Sequence, residues 1–257
     1  MRTIIISLLA TMLAHALHAQ PKIRVALVQS AFEWGNVEAN LRNFDQKVCS
    51  IKGCHLIVLP ELFISGCDMR KKSKEKSIRT KDAIAAHYDN TIEQMRQWAK
   101  ATDAVIVGST IYKEGNCYFN RLLAVRPSGD YDVYDKRNCF KRGSFTPGED
   151  HLVIKLNERR FATYICYDLR FPEWSKNNGR YDTAIYIANW TQTTAADWNC
   201  LLRERAKENK AHVIAVNCVG NDKAGKTFMG DSQVIAPDGK ILAKAQEMKE
   251  EIIIVEY

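Results

Sequence analysis

The 257-residue chain predicts one α/β domain in which helices cover two sheets. Apolar, β-branched segments alternate along it with segments whose apolar residues recur at helical spacing. A strand–turn–strand pattern at 121–134 returns at 233–243, each time around a turn that contains proline and glycine. This repetition suggests two sheets in a pseudo-symmetric arrangement. Hydrophobic residues make up 46% of the chain, enough for one large core, and no flexible linker divides it.

The individual strands and helices are predicted from the β-branched apolar segments and from the segments with helical spacing. Strands are predicted where β-branched and apolar residues cluster, at 23–29, 55–59, 104–111, 121–126, 131–134, 161–166, 183–189, 212–217, 233–236 and 240–243. Helices are predicted where apolar residues form one stripe, at 36–52, 81–100, 171–178 and 196–210. The strand at 55–59 is a continuous apolar run, which indicates a strand buried on both faces.

The first residues have the layout of a secretory signal peptide. Arg2 precedes a short apolar run, and small residues follow at Ala16 and Ala19. We expect residues 1–19 to be removed, which leaves a domain over 20–257 that is exported and has no stable membrane span. Cleavage after Ala16 is the competing choice. Without cleavage, the protein would be cytoplasmic or anchored by its N-terminus.

The distribution of charge and the spacing of the cysteines argue against a nucleic-acid partner and a structural zinc site. The formal net charge is +7, and much of the excess lies at 70–81, a stretch without aromatic residues. Basic charge without a platform for base stacking favours a solvated loop or helix face, so no nucleic-acid partner is expected. The eight cysteines form no C-x-x-C pair, which argues against a structural zinc site. Whether any of them form disulfides stays open.

Three chemically useful side chains each follow a predicted strand. Cys166 ends one strand, where an elbow into a helix would expose its sulfur and direct backbone N–H groups at a developing oxyanion. Glu61 follows an apolar strand, where partial desolvation suits a general base. Lys136 follows the return strand of a hairpin and would stabilise negative charge. Taken singly, each fits a structural role better: a core cysteine, a surface carboxylate and a solvated lysine.

The segments around these residues resemble the nitrilase (carbon–nitrogen hydrolase) superfamily, and most closely its omega-amidase branch. The resemblance extends from about Ile23 to the C-terminus. It rests on Pro-Glu-Leu-Phe at 60–63, Tyr-Asp-Lys-Arg at 134–137, Cys-Tyr-Asp-Leu-Arg-Phe-Pro-Glu-Trp at 166–174, Ala-Asn-Trp at 188–190, Arg-Ala-Lys-Glu-Asn at 205–209 and Gly-Asp-Ser at 230–232.

The resemblance implies a four-layer α-β-β-α sandwich and a catalytic triad of Glu61, Lys136 and Cys166. It also implies that the backbone N–H of Tyr167 donates to the oxyanion. No metal and no organic cofactor are expected, and a homodimer is the expected assembly.

The implied reaction is hydrolysis of a non-peptide C–N bond in a small carboxylated amide of the 2-oxoglutaramate type. It proceeds through a cysteine thioester and releases ammonia. Two alternatives stay open: a related hydrolase of a nitrile, carbamoyl or linear amide, and an impaired member that acts as a binding protein. Arg170, Asn189 and Trp190 are candidates for substrate binding, although Arg170 fits a structural ion pair with Asp168 or Glu173 slightly better.

The chain departs from the family pattern in two places. Family members usually carry a second glutamate between the lysine and the following Pro-Gly, but no acidic residue lies between Lys136 and Pro147, and Glu149 comes after that dipeptide. Thr191 also stands where the branch often has proline. These departures predict weak, redirected or lost activity.

Overall fold

The computed structural model describes residues 22–66, 73–140 and 144–257. The predicted signal peptide at 1–19 lies outside the described residues. Within the described ranges, no helix is both long and apolar enough to cross a membrane. The elements given below are those of the described part of the chain.

The strands form two large sheets and one small ribbon. In chain order they are β1 Arg24–Gln29, β2 Leu56–Val58, β3 Val105–Glu114, β4 Cys117–Val125, β5 Tyr131–Asp135, β6 Val153–Leu156, β7 Arg159–Ile165, β8 Thr183–Ala188, β9 His212–Asn217, β10 Val219–Asn221, β11 Thr227–Met229, β12 Gln233–Ile235, β13 Ile241–Lys244 and β14 Glu251–Glu256. The first six-stranded sheet has the order β14-β1-β2-β3-β4-β5, and the second has the order β13-β12-β9-β8-β7-β6. β10 and β11 pair separately.

Helices pack against the two sheets. They are α1 Val37–Ser50, α2 Lys74–Ala85, α3 Tyr88–Thr102, α4 Pro172–Ser175 and α5 Ala195–Asn209. Apolar residues of α1 and α3, such as Phe44 and Trp98, pack on the first sheet. Trp198 and Leu202 of α5 pack on the second sheet. A third cluster fills the space between the sheets. The predicted four-layer α-β-β-α sandwich is confirmed.

The single helix expected over 81–100 is wrong. Two helices occupy this region, because α2 ends at Ala85 and α3 begins at Tyr88. Ala86 and His87 form the turn between them. The sequence prediction also missed β6, β14 and the β10–β11 ribbon, and it made the β3–β4 hairpin too short.

The strand directions bring the predicted active residues to one edge. β1, β2 and β3 are parallel in the first sheet, and β7, β8 and β9 are parallel in the second. β4 is antiparallel to both β3 and β5, so β5 ends at the same edge as β3. Glu61, Lys136, Cys166 and Asn189 follow β2, β5, β7 and β8, and therefore meet where these strands end.

A close backbone approach near this edge requires glycine at position 230. Gly230 has φ +81°, and a Cβ there would overlap Oε1 of Gln29. Gln29 is fully buried and ties β1 to the chain around it. Its Nε2 donates to the carbonyls of Gln246 and Lys249 at 2.7 and 2.8 Å, and its Oε1 accepts from the N–H of Ser232 at 3.0 Å.

We expect Gly230→Ala to lower the free energy of unfolding by about 3 kcal/mol, since it adds backbone strain and displaces a hydrogen-bonded, buried glutamine. Gly225→Ala is the matched control, because Gly225 also has positive φ, +74°, but a Cβ there would meet nothing within 4 Å. The control should lose only about 1 kcal/mol from backbone strain. Urea unfolding of both variants measures the free energy of unfolding. An equal decrease in the two variants would contradict the packing argument.

Candidate active site

The turn that carries Glu61 is fixed by the neighbouring strand. Leu62 has a positive φ of 47°, which reverses the chain directly after the glutamate. The backbone N–H of Leu62 donates to Oγ of Ser109 at 2.8 Å, and the N–H of Phe63 donates to the Ser109 carbonyl at 3.1 Å. Because Ser109 lies within β3, the glutamate is held against a rigid strand rather than on a free loop.

Glu61 is buried and accepts hydrogen bonds from three groups. Nζ of Lys136 and Nδ2 of Asn120 both lie 2.7 Å from Oε1. The backbone N–H of Asn189 lies 2.9 Å from Oε2. The first two donors come from the first sheet and the third from the second sheet. The carboxylate therefore joins the two halves of the sandwich, and Oε2 keeps capacity for a proton.

Lys136 is held as an ammonium ion. Only 5% of its side chain is exposed, so burial alone would lower its pKa. The negative charges of Glu61 and Asp168 and the hydrogen bond to Glu61 outweigh burial, and the pKa of Lys136 is raised. The cation is consequently fixed beside the nucleophile throughout the neutral range.

Cys166 lies at a sharp turn between β7 and a short 3₁₀ segment, Cys166–Arg170. Its φ of +48° is unusual for a residue with a side chain. Burial raises the pKa of its thiol well above the ordinary range, and Glu61 raises it further through its charge and a hydrogen bond. Lys136 and the Asn189 N–H oppose these effects. The free protein therefore holds a thiol at neutral pH, with Glu61 placed to accept its proton.

Asp168 connects the turn that carries Cys166 to the segment after Lys136. It is fully buried. Its Oδ2 accepts from the Tyr134 hydroxyl at 2.7 Å and from the Ile165 N–H at 3.0 Å. Its Oδ1 accepts from the N–H and Nδ2 of Asn138 at 2.8 and 3.0 Å. These four bonds fix the distance between the end of β7, which Cys166 follows, and the end of β5, which Lys136 follows.

Two amide side chains beside the carboxylate have unused polar atoms. Oδ1 of Asn120 and both amide atoms of Asn189 are buried, and they find no hydrogen-bond partner among the residues the structure describes. Leaving such atoms unpaired costs about 1–3 kcal/mol each. A polar group bound next to Glu61 would satisfy them, as an amide would.

The other predicted binding residues have structural partners. Arg170 forms an ion pair with Asp197 at 2.6 Å and lies over the Trp190 ring, so the expected partner, Asp168 or Glu173, is wrong. Asp168 is occupied by the bonds given above. Trp190 is buried and donates its indole N–H to the Thr194 carbonyl at 2.7 Å. A substrate role for Arg170, Asn189 and Trp190, and the oxyanion role of the Tyr167 N–H, stay predictions.

Metal and histidine chemistry find no support in the described part of the chain. It contains no group of three or more His, Cys, Asp or Glu side chains that could hold a metal ion. The cysteines within it are free thiols, namely Cys49, Cys54, Cys117, Cys139, Cys166, Cys200 and Cys218. His212, the first residue of β9, is half-buried and packs against the Tyr257 ring at 4.5 Å.

Comparison with known proteins identifies the family. The carbon-nitrogen hydrolase family model matches residues 24–257. The chain belongs to the carbon–nitrogen hydrolase family. The omega-amidase YafV of Escherichia coli strain K12 is 36% identical over 229 residues, which cover 88% of this chain and 86% of that protein. The predicted membership of the superfamily and of its omega-amidase branch is confirmed.

Two further relatives of the hydrolase bear on its activity and fold. The 2-oxoglutaramate amidase of Bacillus subtilis strain 168 is 26% identical over 238 residues, which cover 87% of this chain and 86% of that protein. The crystal structure of XC1258 from Xanthomonas campestris, a superfamily protein with an arsenic adduct in its active site, matches with a TM-score of 0.83. It is 31% identical, and the match covers 92% of this chain and 90% of that one.

Sequence reasoning predicted Glu61, Lys136 and Cys166 as catalytic residues, and the structure brings these three side chains together. It missed two neighbours that hydrogen-bond around them, Asn120 and Asp168. Asn120 lies within β4, where nothing in its neighbours indicates that it binds a carboxylate. Asp168 was considered only as a partner of Arg170. Its position two residues after the nucleophile is a usable signal, because a short acid there can accept backbone N–H groups of its own turn.

We expect Glu61→Gln to shift the alkylation midpoint of Cys166 to lower pH, because the charge of Glu61 raises the pKa of the thiol. Iodoacetamide labelling between pH 6 and 11, followed by peptide mass spectrometry, isolates Cys166 from the other cysteines. Glu173→Gln removes an exposed acid in the following helix and should leave the midpoint unchanged. An unchanged or higher midpoint in Glu61→Gln would contradict the assigned geometry.

Proposed function

We propose that the protein hydrolyses the C–N bond of a small amide with Glu61, Lys136 and Cys166 as its catalytic residues. The observation that carries the proposal is one hydrogen-bonded cluster in which a thiol, a carboxylate and an ammonium meet at the ends of three strands. Membership of the family supports the same reaction. A pure binding role is less well supported, since an intact buried ion pair beside a thiol has a chemical use.

The first half of the reaction forms a thioester. Glu61 accepts the thiol proton as the Cys166 sulfur attacks the amide carbon, and the carbonyl oxygen becomes an oxyanion. Lys136, with the Tyr167 N–H, stabilises this oxygen. Glu61 then gives the proton to the amide nitrogen, the C–N bond breaks, and ammonia leaves.

The second half releases the acid. Water enters the place vacated by ammonia and gives a proton to Glu61 as its oxygen attacks the thioester carbon. The C–S bond breaks, and the proton returns to the Cys166 sulfur. The protein ends in its starting state, and one water has been consumed for each amide cleaved.

We propose a carboxylated omega-amide of the 2-oxoglutaramate type as the substrate. Two relatives support this class by name, the omega-amidase of Escherichia coli and the 2-oxoglutaramate amidase of Bacillus subtilis. The unpartnered amide atoms of Asn120 and Asn189 are suited to a primary amide beside Glu61. No cofactor enters this scheme, and the homodimer stays a prediction.

We expect Cys166→Ala to lower ammonia release from 2-oxoglutaramate at least about 1,000-fold, because the thioester cannot form. The circular dichroism spectrum and unfolding midpoint should stay close to those of the parent. Cys117→Ala removes an exposed thiol at the start of β4 and should leave turnover unchanged. Residual activity in Cys166→Ala comparable with that of the parent would contradict the mechanism.

We also propose that the protein is exported after cleavage of residues 1–19. Mass analysis of the protein recovered from the exported fraction should give Gln20 as the first residue, because small residues precede it. A first residue of Leu17 would identify Ala16 as the cleavage position. A protein that keeps Met1 and stays with the cells would contradict export.

A further inference from the structure

We propose that Lys81 of α2 binds the carboxylate of the substrate at the far end from the reacting amide. This inference rests on the proposed function and names the cation that a carboxylated omega-amide requires. Its basis is the position of α2 over the face of the β3–β4 hairpin that carries the active site.

The hairpin places Lys81 near the reacting centre. Directly paired residues share one face of a sheet, so Ser109 with Leu122, Ile111 with Asn120, and Lys113 with Tyr118 lie on the same face. This face begins at the residues that hold Glu61 and continues to the hairpin tip. Tyr118 lies two residues before Asn120 in β4, toward the hairpin tip and roughly 7 Å away along the strand.

Lys81 is the cation above this part of the face. Its Nζ lies 4.6 Å from the centroid of the Tyr118 ring and 5.6 Å from that of the Phe145 ring. It donates to the Ser144 carbonyl at 2.8 Å. A five-carbon omega-amide separates its amide and carboxylate carbons by on the order of 5 Å. A substrate held by Cys166 and Asn120 can therefore extend toward Lys81.

The charge of Lys81 is not neutralised by a contact. The nearest acid, Asp82, accepts from Lys113 and from the Tyr118 hydroxyl, both at 2.6 Å. Within the described ranges no carboxylate lies at ion-pair distance from Lys81, and its side chain is half-buried. Burial lowers the pKa of Lys81, although Asp82 partly offsets this. A desolvated ammonium with one carbonyl acceptor would gain from an anionic ligand.

The rival cations have partners. Arg170 is paired with Asp197 at 2.6 Å. Arg137, like Lys81, donates to one carbonyl, that of Gly148 at 3.0 Å, but its ring contact is with Trp174 and not with the hairpin face that carries Asn120. A substrate carboxylate would have to displace the Asp197 ion pair to reach Arg170. A substrate carboxylate could bind Lys81 without displacing an ion pair.

The test compares two amides of the same size. Succinamate carries a carboxylate where succinamide carries a second, neutral amide. We expect Lys81→Met to lower kcat/KM for succinamate about 10- to 100-fold, the usual loss for one charge-assisted hydrogen bond, and to change that for succinamide little. Lys81→Arg should keep part of the preference. Lys76→Met removes an exposed lysine from the same helix and should affect neither substrate.

Binding gives a second measurement that needs no turnover. In the Cys166→Ala protein, calorimetry with succinamate should show weaker binding once Lys81→Met is added, by a similar factor. Equal losses on both amides, or no loss on succinamate, would overturn the role of Lys81 and leave the proposed reaction intact. A parent protein that cleaves succinamide but neither cleaves nor binds succinamate would overturn the carboxylated substrate class together with Lys81.

Discussion

The buried ion pair between Glu61 and Lys136 is the constraint on which the site depends. Taking both charges out of water is costly, and their mutual attraction offsets that cost only when other hydrogen bonds complete the arrangement. Asn120 and the Asn189 N–H supply those bonds to Glu61. Asn120 lies in the first sheet and Asn189 follows a strand of the second, so the position of Glu61 depends on how the two sheets pack together.

The same ion pair determines the resting state of the nucleophile. Lys136 alone would favour a thiolate, but its charge is largely matched by Glu61, and burial then keeps the Cys166 thiol protonated. A protonated thiol reacts slowly with oxidants and alkylating agents, so nucleophilicity arises only when a bound amide allows the proton to move to Glu61.

The family resemblance predicted Glu61, Lys136 and Cys166 as a set, and their positions near the ends of strands explain why the fold brings them together, since parallel strands of a sheet end at the same edge. The sequence was insufficient for Asn120 and Asp168, whose partners lie far away in the chain or in another element. The break between α2 and α3 was invisible for a different reason. The apolar stripe from Ile84 to Ala99 keeps helical spacing across the turn at Ala86 and His87, so periodicity alone continues the helix.

The sequence of the segment after Lys136 bears on the proposed anionic substrate. Between Lys136 and Pro147 the sequence contains basic residues and no acid, where the family usually has a glutamate. In sequence, this segment therefore adds positive charge and no carboxylate beside Lys136. Positive charge close to a site raises the local concentration of anions. In the proposed reaction, the departure that predicts weak, redirected or lost activity from the sequence alone also removes a carboxylate that would repel a carboxylated amide.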